Sequence, residues 1–136
     1  MQQGPQDGEV ALVKILIVED EPIVAEAVSQ LLDFAGHQVV GVAQDEASAL
    51  KQAAVGCPDL VLMDVRLAGS SDGIETARKI KAERSVNVVF MTAYHDSKTR
   101  ARAAAAAPVG FVPKPFSCEE LLRAVSAAAL TPSKIN

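Results

Sequence analysis

The sequence predicts an α/β protein with a doubly wound, parallel five-stranded sheet. Five short runs rich in Val, Ile and Leu alternate with five longer segments whose apolar residues recur at helical spacing. This alternation is typical of βα units that build a parallel sheet with helices on both faces. Prolines stand at the edges of the segments rather than inside them, which places the turns. The length of 136 residues is that of one domain.

The predicted strands are the five apolar runs, at residues 14–18, 38–43, 60–63, 88–91 and 109–112. The first, third and fourth runs are almost purely apolar, as expected for central strands that helices cover on both faces. The second run is bracketed by His37 and Gln44, and Gly110 interrupts the fifth. We therefore expect the second and fifth strands at the edges of the sheet.

The predicted helices lie near residues 22–35, 45–55, 73–84, 97–107 and 117–129. In the first helix, Pro22 suits the first helical position, and Asp20 or Glu21 is the expected capping acid. One apolar stripe of this helix is expected to face the core, namely Ile23, Val24, Ala27, Val28, Leu31 and Leu32. In the last helix, Ser117 and Glu120 match a capping box.

The composition favours a soluble, cytoplasmic protein that binds neither membrane nor DNA. No stretch of about 18 consecutive apolar residues occurs, and the N-terminus lacks the basic start of a signal peptide. A net charge of −4 weighs against direct DNA binding, which normally needs a basic surface. We expect a flexible leader at 1–12, a folded domain at 13–130 and a short tail at 131–136.

Candidate functional residues stand where four of the five predicted strands end. Glu19 and Asp20 follow the first strand, Asp64 the third, Thr92 the fourth and Lys114 the fifth. In open α/β sheets, sites form beyond the carboxyl ends of the strands. We therefore expect these side chains to converge in one crevice.

The chemistry of this set indicates phosphoryl transfer to a carboxylate. Two carboxylates about 5 Å apart repel by roughly 3 kcal/mol at an effective dielectric near 20, so the acids need a cation or a proton. Oxygen ligands without His or Cys nearby favour Mg²⁺ (or Mn²⁺). Lys114 offers a point charge for a carboxylate or phosphoryl oxygen, Thr92 a hydroxyl, and one aspartate the nucleophile. Lys114 lies between two prolines, and the Lys114–Pro115 bond is a candidate for the cis form.

The sequence resembles the receiver domain of two-component response regulators. The matching segments are VEDE at 18–21, LVLMDVRL at 60–67, DGIE at 72–75, VVFMTAY at 88–94 and GFVPKPF at 110–116. The resemblance implies a flavodoxin-like fold with the strand order 2-1-3-4-5 and five flanking helices. It also implies a signalling switch rather than an enzyme in the ordinary sense.

For the acceptor and its metal, the resemblance implies specific roles. Asp64 would be the phosphoacceptor, charged by a sensor histidine kinase or a histidine phosphotransfer protein. Asp20, Asp64 and the backbone carbonyl of Arg66 would bind Mg²⁺ directly, and Glu19 would contribute through water. Lys114 would contact the acyl phosphate.

For the response to phosphorylation, the resemblance implies that Thr92 hydrogen-bonds the phosphoryl group and moves inward, and that the switch aromatic, Phe111, follows. The output surface would comprise the fourth helix, fifth strand and fifth helix, which would regulate an unknown downstream protein or form a homodimer. Arg66 and Tyr94 are bulky residues beside the acyl phosphate, and we expect them to screen water and prolong its lifetime. Lys98, Arg100 and Arg102 are candidates for meeting an acidic partner, or form a solvated helix face.

Several alternatives stay open at this point. Only TPSKIN follows Leu130, so we expect a stand-alone receiver, which could also act as a phosphate sink or relay, or be a receiver excised from a larger regulator. A degenerate receiver that only scaffolds protein contacts is a second alternative. Such a protein would not need its catalytic residues, whereas every catalytic position is filled in this sequence. Other enzyme classes on this fold lack support, because the chain has neither a glycine-rich turn after the first strand nor a P-loop.

Overall fold

A computed structural model describes residues 12–67, 72–93 and 96–132. The predicted leader, apart from Leu12, lies outside these residues, as do the last four residues of the predicted tail and Tyr94. None of the helices within the described ranges is long and apolar enough to cross a membrane.

The described chain forms five strands and five helices in strict alternation. The five strands make one parallel sheet of order β2-β1-β3-β4-β5, which confirms the predicted fold class and the edge positions of the second and fifth strands. The elements are β1 Lys14–Val18, α1 Pro22–Phe34, β2 Gln38–Ala43, α2 Glu46–Gly56, β3 Leu60–Asp64, α3 Gly73–Glu83, β4 Asn87–Thr92, α4 Ser97–Ala105, β5 Gly110–Pro113 and α5 Cys118–Ala129.

The core has two layers, one on each face of the sheet. Along β1, Ile15 and Ile17 face one layer while Leu16 and Val18 face the other, as the two-residue period of a strand requires. Helices α1 and α5 cover the first layer, and α2, α3 and α4 contribute to the second. All five residues of β3 and all six of β4 are buried, as expected for central strands.

The ends of several elements differ from the predicted ones. Both β3 and β4 continue by one residue, so that Asp64 and Thr92 are the last residues of their strands. Helix α4 ends two residues earlier than predicted, because Ala107 adopts a left-handed conformation with φ 55° ahead of Pro108. The predicted capping box of α5 is present, with the Ser117 hydroxyl accepting from the N–H of Glu120.

Helix α1 turns less of its apolar surface to the core than predicted. Its buried residues are Ala25, Val28 and Leu32, which are one narrow stripe, whereas Ile23 is 85% exposed. The N-cap residue is Glu21, one of the two acids expected there, but its side chain makes no capping hydrogen bond. Only the side of α1 that faces the sheet is buried, and Ile23 lies outside that side.

Candidate functional site

The predicted residues meet at the carboxyl edge of the sheet. Because β1 and β4 flank β3 in a parallel sheet, the carboxyl ends of the three strands lie side by side. Val18 lies opposite Met63, and Asp64 lies opposite Met91. Thr92 lies opposite Pro113 on β5, the residue before Lys114. Four strands therefore supply one crevice.

Lys114 is at the centre of this crevice. Its Nζ donates to Oε1 of Glu19 at 2.8 Å and to Oδ2 of Asp64 at 3.2 Å, and it lies 4.0 Å from Oε1 of Glu21. The bond from Lys114 to Pro115 is cis, as the two flanking prolines suggested. Only 18% of the lysine side chain is exposed, so its charge acts mainly on the carboxylates around it.

Glu19 is the most deeply buried acid of the site. Its side chain is fully buried, and its Oε2 accepts from the backbone N–H of Glu21 at 3.1 Å. Burial raises the pKa of Glu19; the negative charge of Asp64 acts in the same direction, while the hydrogen bond from Lys114 opposes both. The crevice thus holds more negative charge than the lysine alone balances.

The lysine stays protonated in this setting. Burial by itself would lower the pKa of Lys114, but the hydrogen bond to Glu19 and the charges of Asp64 and Glu19 outweigh it, so the pKa is raised. Lys114 is therefore a fixed cation beside Asp64.

Three carboxylates of the crevice fit a divalent cation. Glu19, Asp20 and Asp64 each offer an oxygen, and these oxygens lie within 4.8 Å of one another. Together with the Lys114 ammonium they leave two net negative charges, which is the charge that Mg²⁺ would neutralise. The donor set is oxygen only, which suits a hard cation.

Backbone contacts connect the described residues on either side of the β3–α3 connection to one another and to Asp64. The N–H of Arg66 donates to Oδ1 of Asp64 at 3.3 Å, and Arg66 pairs with Asp72 in an antiparallel bridge. Gly73 donates its N–H to Val65 O at 2.8 Å. A Cβ on Gly73 would lie 1.9 Å from the carbonyl oxygen of Asp64, so only glycine permits this approach.

Sequence reasoning gave no role to Asp72 or Gly73. The DGIE segment contributes only to the family resemblance. An Asp-Gly pair just before a helix is nevertheless a local signal that the aspartate is the N-cap residue. In the structure, Oδ1 of Asp72 accepts from the N–H of Ile74 and caps α3. Its Oδ2 forms an ion pair with Arg102 of α4.

The two predicted switch residues lie on neighbouring strands. Thr92 is buried, and its carbonyl accepts from the N–H of Lys114 at 2.9 Å. Phe111 is half-buried, and its ring centroid lies 6.0 Å from that of Phe90. The guanidinium carbon of Arg100 lies over the Phe111 ring, 5.6 Å from its centroid and in cation–π range.

An apolar groove of about 430 Å³ adjoins the crevice between α1 and the segment that follows β5. Lys114 is its polar lining residue, so the groove leads to the site. The other lining residues are Ile23, Val24, Ala27, Val28, Ala93, Pro115 and Phe116.

Comparison with known proteins identifies relatives over most of the chain. A family model described as "Response regulator receiver domain" matches residues 15–126. Transcriptional regulatory protein PdtaR of Mycobacterium tuberculosis is 34% identical over 127 residues, which are 92% of this chain and 62% of PdtaR. Phyllosphere-induced regulator PhyR of Methylorubrum extorquens is 39% identical over 82 residues, 60% of this chain and 31% of PhyR. The chain thus spans less than two thirds of the length of these relatives.

A solved structure shares the same architecture. The signal receiver domain of a modulated diguanylate cyclase from Desulfovibrio desulfuricans G20 matches with a TM-score of 0.80 and 33% identity. The match covers 87% of this chain and 94% of that one.

Proposed function

This chain belongs to the response regulator receiver domain family, whose members act in phosphorylation-based signalling, and from that membership we propose that Asp64 accepts a phosphoryl group from a phosphohistidine donor. The donor would be a sensor histidine kinase or a histidine phosphotransfer protein. The observation that carries the proposal is the Lys114 ammonium, held 3.2 Å from Oδ2 of Asp64 and 2.8 Å from Glu19.

The transfer step uses the Asp64 carboxylate as the nucleophile. One of its oxygens forms a bond to phosphorus while the P–N bond to the donor imidazole breaks, and the electron pair of that bond leaves with the nitrogen. Lys114 stabilises the phosphoryl oxygens as they approach, and the Thr92 hydroxyl orients them. The burial of Asp64 limits competing water.

Mg²⁺ (or Mn²⁺) is the cofactor that the donor set supports. Asp20, Asp64 and the backbone carbonyl of Arg66 would hold it directly, and Glu19 through water. When bound, it supplies charge neutralisation for the acids and the phosphoryl oxygens. The two net negative charges of the crevice support this assignment.

The apolar groove beside Lys114 supports a protein donor. Ile23 is 85% exposed at its edge, and a large exposed apolar side chain next to a reactive site favours contact with another protein. We assign this groove to the phosphohistidine donor, because it is lined by Lys114, which contacts Asp64.

The chain would act as a switch rather than as an enzyme that turns over an external substrate. Phosphorylation would draw Thr92 inward and let Phe111 follow, and the surface of α4, β5 and α5 would then regulate a downstream protein in the cytoplasm or form a homodimer. The names of the relatives describe different outputs, a transcriptional regulator and a diguanylate cyclase. These names therefore do not identify the output of this chain.

Incubation with acetyl phosphate and Mg²⁺, read by intact-protein mass spectrometry, tests the proposal. The wild type is expected to gain one phosphoryl group, Asp64→Asn none, and chelation of the metal should abolish the gain. Asp33→Asn, which changes an exposed aspartate of α1, is the matched control and should behave like the wild type. No gain on the wild type would overturn the proposal and favour a scaffold role.

A further inference from the structure

Helix α4 is held to the rest of the chain largely by cationic side chains. Within the helix only Ala103 is buried, and an alanine contributes little apolar contact area. Arg100 stacks on Phe111, Arg102 pairs with Asp72, and Lys81 of α3 donates to the carbonyls of Ala106 and Ala107 at 3.0 and 2.7 Å, just past the end of the helix. Two of the three cations that the sequence offered for an acidic partner are thus engaged within the chain.

Arg102 is connected to Oδ1 of Asp64 through two intermediate residues. Arg102 pairs with Oδ2 of Asp72, and Asp72 pairs through its backbone with Arg66. The N–H of Arg66 in turn donates to Oδ1 of Asp64 at 3.3 Å. The side chain of Arg102 is therefore connected to the acceptor carboxylate through a short series of direct contacts.

Arg100 is connected to Oδ2 of Asp64 through β5. Its guanidinium lies over Phe111 on β5. Three residues along the same strand and its continuation, Lys114 donates to Oδ2 of Asp64 at 3.2 Å. Both oxygens of Asp64 are thus linked to α4, each through a different arginine.

We propose that Arg100 and Arg102 are positioning residues that hold α4 in the resting arrangement and couple its release to phosphorylation of Asp64, an inference that rests on the proposed function. An acyl phosphate on one Asp64 oxygen converts the carboxylate that Lys114 and the Arg66 N–H contact into a mixed anhydride and places the negative charge on the phosphoryl oxygens, so both series of contacts change together. Contacts that exist only in the resting arrangement oppose phosphorylation. Their loss raises the population of the released arrangement, and we infer that Asp64 is phosphorylated faster in that arrangement.

The variants Arg100→Gln and Arg102→Gln test this coupling, with Lys98→Gln as the matched control. All three remove one positive charge from α4, but the Lys98 ammonium has no ion pair in the described part of the chain. Relative to Lys98→Gln, each arginine variant is expected to show about threefold faster amide hydrogen exchange in α4 without a phosphodonor. Each should also be phosphorylated by acetyl phosphate about threefold faster. The factors are small because exposed ion pairs are weak.

Rates equal to those of Lys98→Gln in both measurements would overturn the inference. Faster exchange with unchanged phosphorylation would also overturn it, because α4 would then be loosened without any coupling to Asp64. If the proposed function itself fails, the wild type takes up no phosphoryl group, which differs from both of these results. The coupling of α4 to Asp64 is then rejected as well. Far-UV circular dichroism of each variant checks that the fold is retained.

Discussion

Lys114 joins parts of the chain that are far apart in sequence. The carboxylates that it contacts lie 95 and 50 positions away, at Glu19 and Asp64. The lysine stays charged because its acidic partners raise its pKa despite its burial. It therefore contacts the carboxylates at rest and, in the proposed function, would provide the cation that phosphoryl oxygens need.

Lys114→Gln is expected to slow phosphorylation by acetyl phosphate about 100-fold, since loss of one donor to a developing anionic group typically costs that much. Initial rates from intact mass spectra measure the effect. Lys51→Gln removes an exposed lysine of α2 and is the control. A Lys114→Gln rate within a few-fold of the wild type would show that the ammonium is not needed.

Arg66 is predicted to prolong the lifetime of the acyl phosphate that we propose at Asp64. Its backbone is fixed next to the acceptor by the hydrogen bond to Asp64, while its side chain is exposed at the mouth of the site. With Tyr94, which lies outside the described residues, it is predicted to screen attacking water. We expect a phosphoryl half-life of minutes or longer, and a severalfold shorter one in Arg66→Ser. Dephosphorylation after removal of the donor gives both values, and a wild-type half-life of seconds would contradict the prediction.

The site residues could be read from the sequence because each one ends an apolar run, and parallel strands bring such ends to one edge. The ion pair of Arg102 with Asp72 could not, because it joins two helices across 30 positions of sequence. Which exposed arginine meets which exposed acid depends on how the helices are rotated, and a helical period does not fix that rotation.

At the scale of elements, the start of α3 is the part most tightly fitted to the acceptor. Gly73 begins the helix against the carbonyl of Asp64, where a Cβ would lie at 1.9 Å. Asp72 caps the same helix through the N–H of Ile74. Helix α3 thereby keeps the backbone that follows Asp64 in one position.

Gly73→Ala is expected to destabilise the fold by about 2 kcal/mol, because the added methyl group overlaps backbone that cannot easily move. It should also weaken phosphorylation through displacement of Asp64. Gly110→Ala is the matched control, since a Cβ there meets only Val89 Cγ2 at an ordinary 3.8 Å. Urea unfolding measures both variants, and equal stability for the two would contradict the close approach.

The elements themselves were predicted more reliably than the surfaces that they bury. The apolar runs and capping residues placed every strand and helix to within two residues, because these signals are local. The burial of α1 was predicted too broadly, since Ile23 belongs to its apolar stripe but is 85% exposed. A stripe shows which side of a helix is apolar, but its contact with the sheet depends on the tertiary packing.

At the scale of the whole molecule, the parallel sheet explains why the site is assembled from four strands. The two core layers fix the strands from both faces, and the polar residues remain at their carboxyl ends. The strand order follows from the apolar character of the central runs together with the family resemblance. Composition alone would not have distinguished this order from others.

His37 is expected to make the stability of the whole fold depend on pH. It is buried between α1 and β2, its Nδ1 accepts from the N–H of Val13 at 3.2 Å, and burial lowers its pKa from the ordinary value of 6.5. The unfolded chain therefore binds a proton more readily than the folded one. The free energy of unfolding is thus expected to be undiminished above about pH 6.5 and to fall as the pH drops below it.

Urea unfolding at a series of pH values measures this dependence. His37→Asn keeps an acceptor near Nδ1 but cannot titrate, so it should remove the part of the pH dependence that begins near pH 6.5. An unchanged pH dependence in this variant would show that His37 is not its source.

Mapping the modified residue tests whether Asp64 carries the phosphoryl group. After incubation with acetyl phosphate and Mg²⁺, borohydride reduction converts an aspartyl phosphate to homoserine, which peptide mass spectrometry locates. We expect homoserine at Asp64 alone, with Asp20 unmodified. Label at another residue, or a wild type without label, would contradict it.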